Sequence, residues 1–290
     1  MARLADAPGA RWWVDRPGRT VAYVVLAVAA AAWVTMLTLP GMGMPGMGSA
    51  TSGMHTGMAP TAMTAPSNLM TMSAGASIGW SVADLVAFTA AWALMMAAMM
   101  LPSATPMIAL YRTVARRRAS GPVAGRTTMF AVPYAALWAL AGIPVYASTV
   151  SIDALIRSHR WAHEAAPYAV AATLLAAGIY QFTPLKRICL ANCRNPLNFL
   201  ATHWRPGLAG AARIGFAHAL YCFGCCGLLM VVLVAAGAMG LAWVLLIAGA
   251  VALEKLASRW PASPALAGVT LLALGAAVAL QPSLVNHLRS

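Results

Sequence analysis

Three cysteines crowd into Tyr221-Cys222-Phe223-Gly224-Cys225-Cys226, inside an otherwise apolar stretch, and His218 stands four residues before Cys222. On an α-helix at about 100° per residue, His218, Cys222 and Cys225 fall within an arc of about 60°, and Cys226 widens it to about 100°. Thiolate and imidazole on one face are ligands for soft or borderline ions, Cu(I) first and zinc second. A thiol in lipid costs little, because free cysteine behaves as a small hydrophobe. A bare thiolate there costs far more, so ionisation calls for a cation. Two other readings stay open. Gly215, Gly224, Gly227 and the cysteines are small enough to let helices pack closely, and Cys222-x-x-Cys225 has the spacing of a redox pair.

Other residues carry related chemistry. Cys189 and Cys193 lie four apart and share a helix face; Lys186, Arg187 and Arg194 beside them would favour thiolates. Met95, Met96, Met99 and Met100 form two overlapping Met-x-x-x-Met pairs, and an uncharged thioether such as Met95 or Met99 can bind Cu(I) at little desolvation cost. Flexible core filling is the alternative for them. Pro102 and Pro106 are expected to break or kink that helix. The segment before it carries Met42, Met44, Met47, Met54, Met58, Met63, Met70 and Met72, with His55 beside Met54. Exposed methionines bury nothing, which fits exchangeable capture of a soft ion. Glu254, an acid within an apolar run, is a candidate partner for Lys186 or Arg187, or a metal ligand. Asp84 reads as a helix-dipole partner, and His159, His163 and Glu164 as solvated loop residues.

These side chains need elements to hold them, and composition says which. Of 290 residues, 61% are hydrophobic and 9% charged, against roughly 25% charged in a soluble domain. Apolar runs of about 20 residues recur, the length that crosses a bilayer core. The expectation is an all-α, polytopic transmembrane bundle of about seven spans, near 21–39, 82–101, 127–150, 166–182, 211–237, 241–257 and 265–280. The first reads as an uncleaved signal anchor. The formal charge of +13 invites a nucleic-acid reading, but its distribution opposes one. With the N-terminus cytoplasmic, 16 of the 19 basic residues fall on inner segments and only Arg157, Arg160 and Arg289 outside. The lipid bilayer is the partner implied. Five cysteines cannot all pair internally, and on this topology all lie in cytoplasmic or buried segments, where structural disulfides are not expected.

The expected organisation is a basic cytoplasmic tail over 1–19, a first transmembrane helix over 20–39 and a Met-rich disordered external loop over 40–80. A metal-binding transmembrane bundle follows over 81–282, then an external tail over 283–290. A basic inner loop is expected over 112–126, a partly amphipathic outer loop over 151–165 and the longest inner connection over 183–210. No phosphate-cradling loop and no His-Glu-x-x-His is present.

Met95-Met96-Ala97-Ala98-Met99-Met100-Leu101-Pro102-Ser103, the run Tyr180 to Pro196, Cys222 to Met230, Gly237-Ala238-Met239 and Glu254-Lys255 together resemble the DUF2182 family of predicted metal-binding integral membrane proteins. Some of its members carry the label copper chaperone. Gly227 stands where the family often has Trp, a departure that bears on packing more than on ligation. The resemblance implies metal binding without settling a reaction. The leading expectation is a bacterial cytoplasmic-membrane protein that binds Cu(I) through His218, Cys222, Cys225, Cys226, Cys189, Cys193, Met95, Met99 and Glu254. It would hand the ion to a membrane or extracytoplasmic protein. A copper transporter with a Met-lined path and a membrane thiol–disulfide oxidoreductase are the alternatives.

Overall fold

The apolar runs fold into helices throughout the described residues of the computed structural model, which are 16–38, 80–118, 122–235, 241–256 and 262–285. Ten helices follow in order: α1 (Arg16–Thr38), α2 (Val82–Arg118), α3 (Val123–Leu140), α4 (Gly142–Ser158), α5 (Arg160–Tyr180), α6 (Pro184–Arg194), α7 (Pro196–His203), α8 (Gly207–Ala235), α9 (Leu241–Leu256) and α10 (Ser263–Leu280). No strand occurs among these residues. The tail before residue 16, the Met-rich 40–79 stretch with its eight methionines and His55, and residues 286–290 lie outside them.

Among the described residues five stretches are long and apolar enough to cross a membrane, with α3 and α4 together forming one of them. A sixth arises if α5 and α6, bent by 65° at their junction, are taken as one broken span. The remaining expected span corresponds to α9, which has 16 residues. Leucines and valines such as Val24, Leu246, Leu266 and Val269 face outward, as side chains in contact with acyl chains do. The fold is thus a helical membrane bundle.

α2 departs most from expectation. Its 37 residues run through both Pro102 and Pro106 to Arg118 instead of stopping near Leu101. Proline at position 102 has no N–H for the carbonyl four residues back. That carbonyl, on Ala98, instead accepts from the Trp33 indole of α1 at 3.2 Å. Hydroxyls serve neighbouring carbonyls: Ser103 donates to Met100 O at 2.9 Å and Thr105 to Leu101 O at 2.9 Å. A neighbouring helix thus re-satisfies the carbonyl that Pro102 frees, and the helix runs on. Arg116, Arg117 and Arg118 in the last turn complement the helix dipole. The expected outer loop at 151–165 is mostly helical, and the inner connection at 183–210 carries helices as the spacing of Cys189 and Cys193 required. His159 alone separates α4 from α5, and α6 and α7 fill most of the inner connection. Thr183 caps α6, its Oγ1 accepting from Lys186 N at 3.3 Å, with Pro184 at the first helical position.

α8 is the central element. It packs against α3, α5, α6 and α9. Its crossing with α3 is set at Gly215, where any Cβ would run into the carbonyl of Phe130. Backbone cannot yield as a flexible side chain can, so Gly215→Ala forces the two helices apart. We expect it to cost about 1–3 kcal/mol or more, read as a lowered midpoint of thermal unfolding in detergent. A midpoint equal to wild type would show that the crossing tolerates a methyl group.

A candidate metal site

The glycine–cysteine face of α8 turns toward α6. At Gly224 a Cβ would sit 2.6 Å from Cys189 Sγ, so the missing side chain is what lets α6 approach. The Tyr180 hydroxyl, at the end of α5, donates to Gly224 O at 2.6 Å and pins the same turn. One helical turn along α6, Cys193 Sγ lies 3.8 Å from Cys225 Sγ. The two groups of cysteines therefore meet across one helix interface.

Three further helices close around them. From α2, Met100 Sδ lies 3.9 Å from Cys226 Sγ. From α3, the Tyr134 hydroxyl lies 3.2 Å from Cys222 Sγ and 3.4 Å from Met100 O. From α9, Lys255 Nζ donates to Cys222 Sγ at 2.9 Å and to Ser103 Oγ at 3.2 Å, with Met100 Sδ at 3.9 Å. The Cys225 and Cys226 thiols both donate to Cys222 O, at 3.2 and 2.9 Å. Cys222, Cys225, Cys226 and Met100 are buried, and all five cysteines are free. Among the described residues no three His, Cys, Asp or Glu side chains stand close enough together to hold a metal ion at once. What converges is a patch of thiols and one thioether, linked pairwise.

The remaining candidates fall around this patch. His218 does not join the sulfurs. Its ring lies among Phe130, Tyr134 and Phe199, at centroid distances of 6.2, 5.4 and 5.6 Å. Its Nδ1 is buried without a partner. Helical spacing placed His218 on the face of Cys222, but aromatic rings from α3 and α7 fill the space beside it. Tyr134 links the two regions, stacking on His218 and touching Cys222 with its hydroxyl. Met95 and Met99 are buried on α2, yet the thioether within hydrogen-bond reach of the thiols belongs to Met100.

Glu254 is held by Lys186 from α6, Nζ to Oε2 at 2.6 Å, and both side chains are almost fully buried. Its Oε1 has no partner. Arg194 donates to Glu254 O at 2.6 Å and to Ser263 Oγ at 3.0 Å, tying α6 to α9 and α10. Two of the basic residues expected to bias Cys189 and Cys193 are thus committed to α9. The cation at the sulfurs is Lys255.

Sequence reasoning passed over Lys255, Tyr134 and Ser103. For Lys255 a signal existed: an ammonium within an apolar span marks a functional site as much as its acidic neighbour does. Ser103 stood only at the end of the motif that carries the resemblance, and Tyr134 carried no signal, because which helices abut is a non-local matter.

Fold and site together define a helical membrane protein with a buried sulfur cluster. A family model described as PpoB2, copper chaperone, matches residues 89–278. The chain belongs to that copper chaperone family. The matched stretch contains every candidate site residue named above and excludes the Met-rich segment. No curated protein and no solved structure matches the chain.

Proposed function

We propose that this chain is a bacterial cytoplasmic-membrane copper chaperone. It takes Cu(I) into the sulfur patch and passes it to a membrane or extracytoplasmic acceptor protein. The observation that carries the reading is the meeting of Cys193 and Cys225 across α6 and α8, with Met100 beside Cys226. Thiolates and thioethers select Cu(I). Zinc is served less well, because its structural sites take four ligands in a tetrahedral array, and among the described residues no three His, Cys, Asp or Glu side chains stand together. Cu(I) needs few ligands, so small rotamer changes among Cys193, Cys222, Cys225 and Cys226 suffice to complete the site. The sixteen basic residues assigned to inner segments support a cytoplasmic N-terminus.

A copper transporter is the second reading, favoured by the buried Met95, Met96, Met99 and Met100 leading along α2 to the patch. An oxidoreductase reading gains less, since Cys222 and Cys225 are buried from any external thiol. Two measurements separate them. Purified protein loaded anaerobically should retain about one equivalent of Cu(I), and retention below about a tenth rejects the proposal. Sealed vesicles holding the protein should bind copper without accumulating it; accumulation abolished by Met95→Leu with Met99→Leu shifts the assignment to transport.

A further inference from the structure

Lys255 is unusual in its company. The residue is 6% exposed, and its ammonium faces one thiol, one hydroxyl and one thioether. Among the described residues no carboxylate lies within ion-pair distance of it. The acid next to it in sequence, Glu254, points to Lys186, as expected of adjacent residues on a helix. Placing a cation in an apolar core beside neutral groups is costly. A compensating gain arises when the neighbouring site is filled.

We propose that Lys255 is the charge-matching residue of the sulfur site, favouring a monovalent soft cation over a divalent one. The inference rests on the copper reading above and deepens it. A monovalent ion held by two thiolates leaves one net negative charge, and the adjoining ammonium cancels it. A divalent ion held by the same two thiolates is already neutral, so the ammonium stays uncompensated where the dielectric is low. Softness alone discriminates poorly, because thiolates hold both Cu(I) and Zn(II). A fixed positive charge 2.9 Å from Cys222 Sγ supplies the discrimination. Ser103 Oγ, at 3.2 Å, gives the ammonium a second anchor beside the site when a metal engages Cys222.

Anaerobic competition titrations in detergent, run with Cu(I) alone and with Zn(II) alone, test this on wild type, Lys255→Met, Lys255→Gln and Lys255→Arg. The Met and Gln variants should lower the ratio of Cu(I) to Zn(II) affinity by at least about fivefold, and Arg should keep the wild-type ratio. Lys255→Gln retains a hydrogen-bond donor, so it reports on charge even if Lys255→Met fails to fold. A smaller change in the ratio overturns the inference, whether both affinities fall together, as general damage would cause, or neither moves. Wild-type protein that takes up no Cu(I) overturns the copper reading and this inference with it. Wild-type uptake with a charge-independent ratio overturns this inference alone.

Discussion

Serine at Cys225 should weaken Cu(I) retention by about a hundredfold, and serine at both Cys193 and Cys225 should abolish it. Cys225 is the thiol that bridges the two cysteine-bearing helices, 3.8 Å from Cys193 and hydrogen-bonded within its own turn to Cys222 O. A hydroxyl has nearly the thiol's shape but is a hard, feebly coordinating oxygen, so packing is kept while soft ligation is lost. Cys189→Ser is the matched comparison. Its sulfur faces Gly224, and retention should stay within about threefold of wild type. Equal losses at Cys189 and Cys225 would mean that the whole α6 face ligates. Unchanged retention in the double variant, with a normal near-ultraviolet circular dichroism spectrum, would leave the cysteines as packing residues and remove the basis of the site.

The contrast between Cys225 and His218 shows how far the sequence could be read. Low charge and repeated apolar runs dictate a helical membrane bundle, because few other structures satisfy the backbone in lipid. Helical arithmetic likewise put Cys222, Cys225 and Cys226 on one face of α8 and Cys189 with Cys193 on one face of α6, and the helices form as that arithmetic requires. Spacing orders residues around their own axis only. Whether the face meets another sulfur or an aromatic ring is decided by where helices approach. Those approaches are set at single residues, Gly215 under Phe130 and Gly224 under Cys189. His218 shares a face with Cys222 yet lies one turn away, where Phe130 and Phe199 occupy the space. Pro102 read as a stop because its own helix cannot serve Ala98 O; the remedy, Trp33, lies on a helix 65 residues away. Lys255 and Glu254 stand side by side in sequence, but their opposite directions give one to the sulfurs and the other to α6.

Truncating either member of the Lys186–Glu254 pair should be among the most damaging changes outside the sulfur patch. The side chains are 1% and 3% exposed, and Nζ to Oε2 is 2.6 Å. Burying a charge whose partner has gone costs about 3–5 kcal/mol, more than the intact pair contributes over an apolar replacement. Lys186→Met therefore strands the Glu254 carboxylate, whose Oε1 already lacks a partner. Glu254→Leu strands the ammonium. Each should lower the detergent unfolding midpoint sharply, whereas Lys186→Met with Glu254→Leu should recover most of the loss, since neither charge then remains. Non-additivity of that sign is the signature of a desolvated pair. If the double variant is as unstable as the sum of the singles, the residues matter separately. Copper retention in the double variant adds a second reading. Arg194 still ties α6 to α9 through Glu254 O and to α10 through Ser263, so the backbone that carries Lys255 keeps its anchor. Retention close to wild type would assign Lys186 and Glu254 to holding α6 against α9, and the metal chemistry to the sulfurs and Lys255. A loss as deep as that of Cys225→Ser would instead draw Glu254 into the site itself.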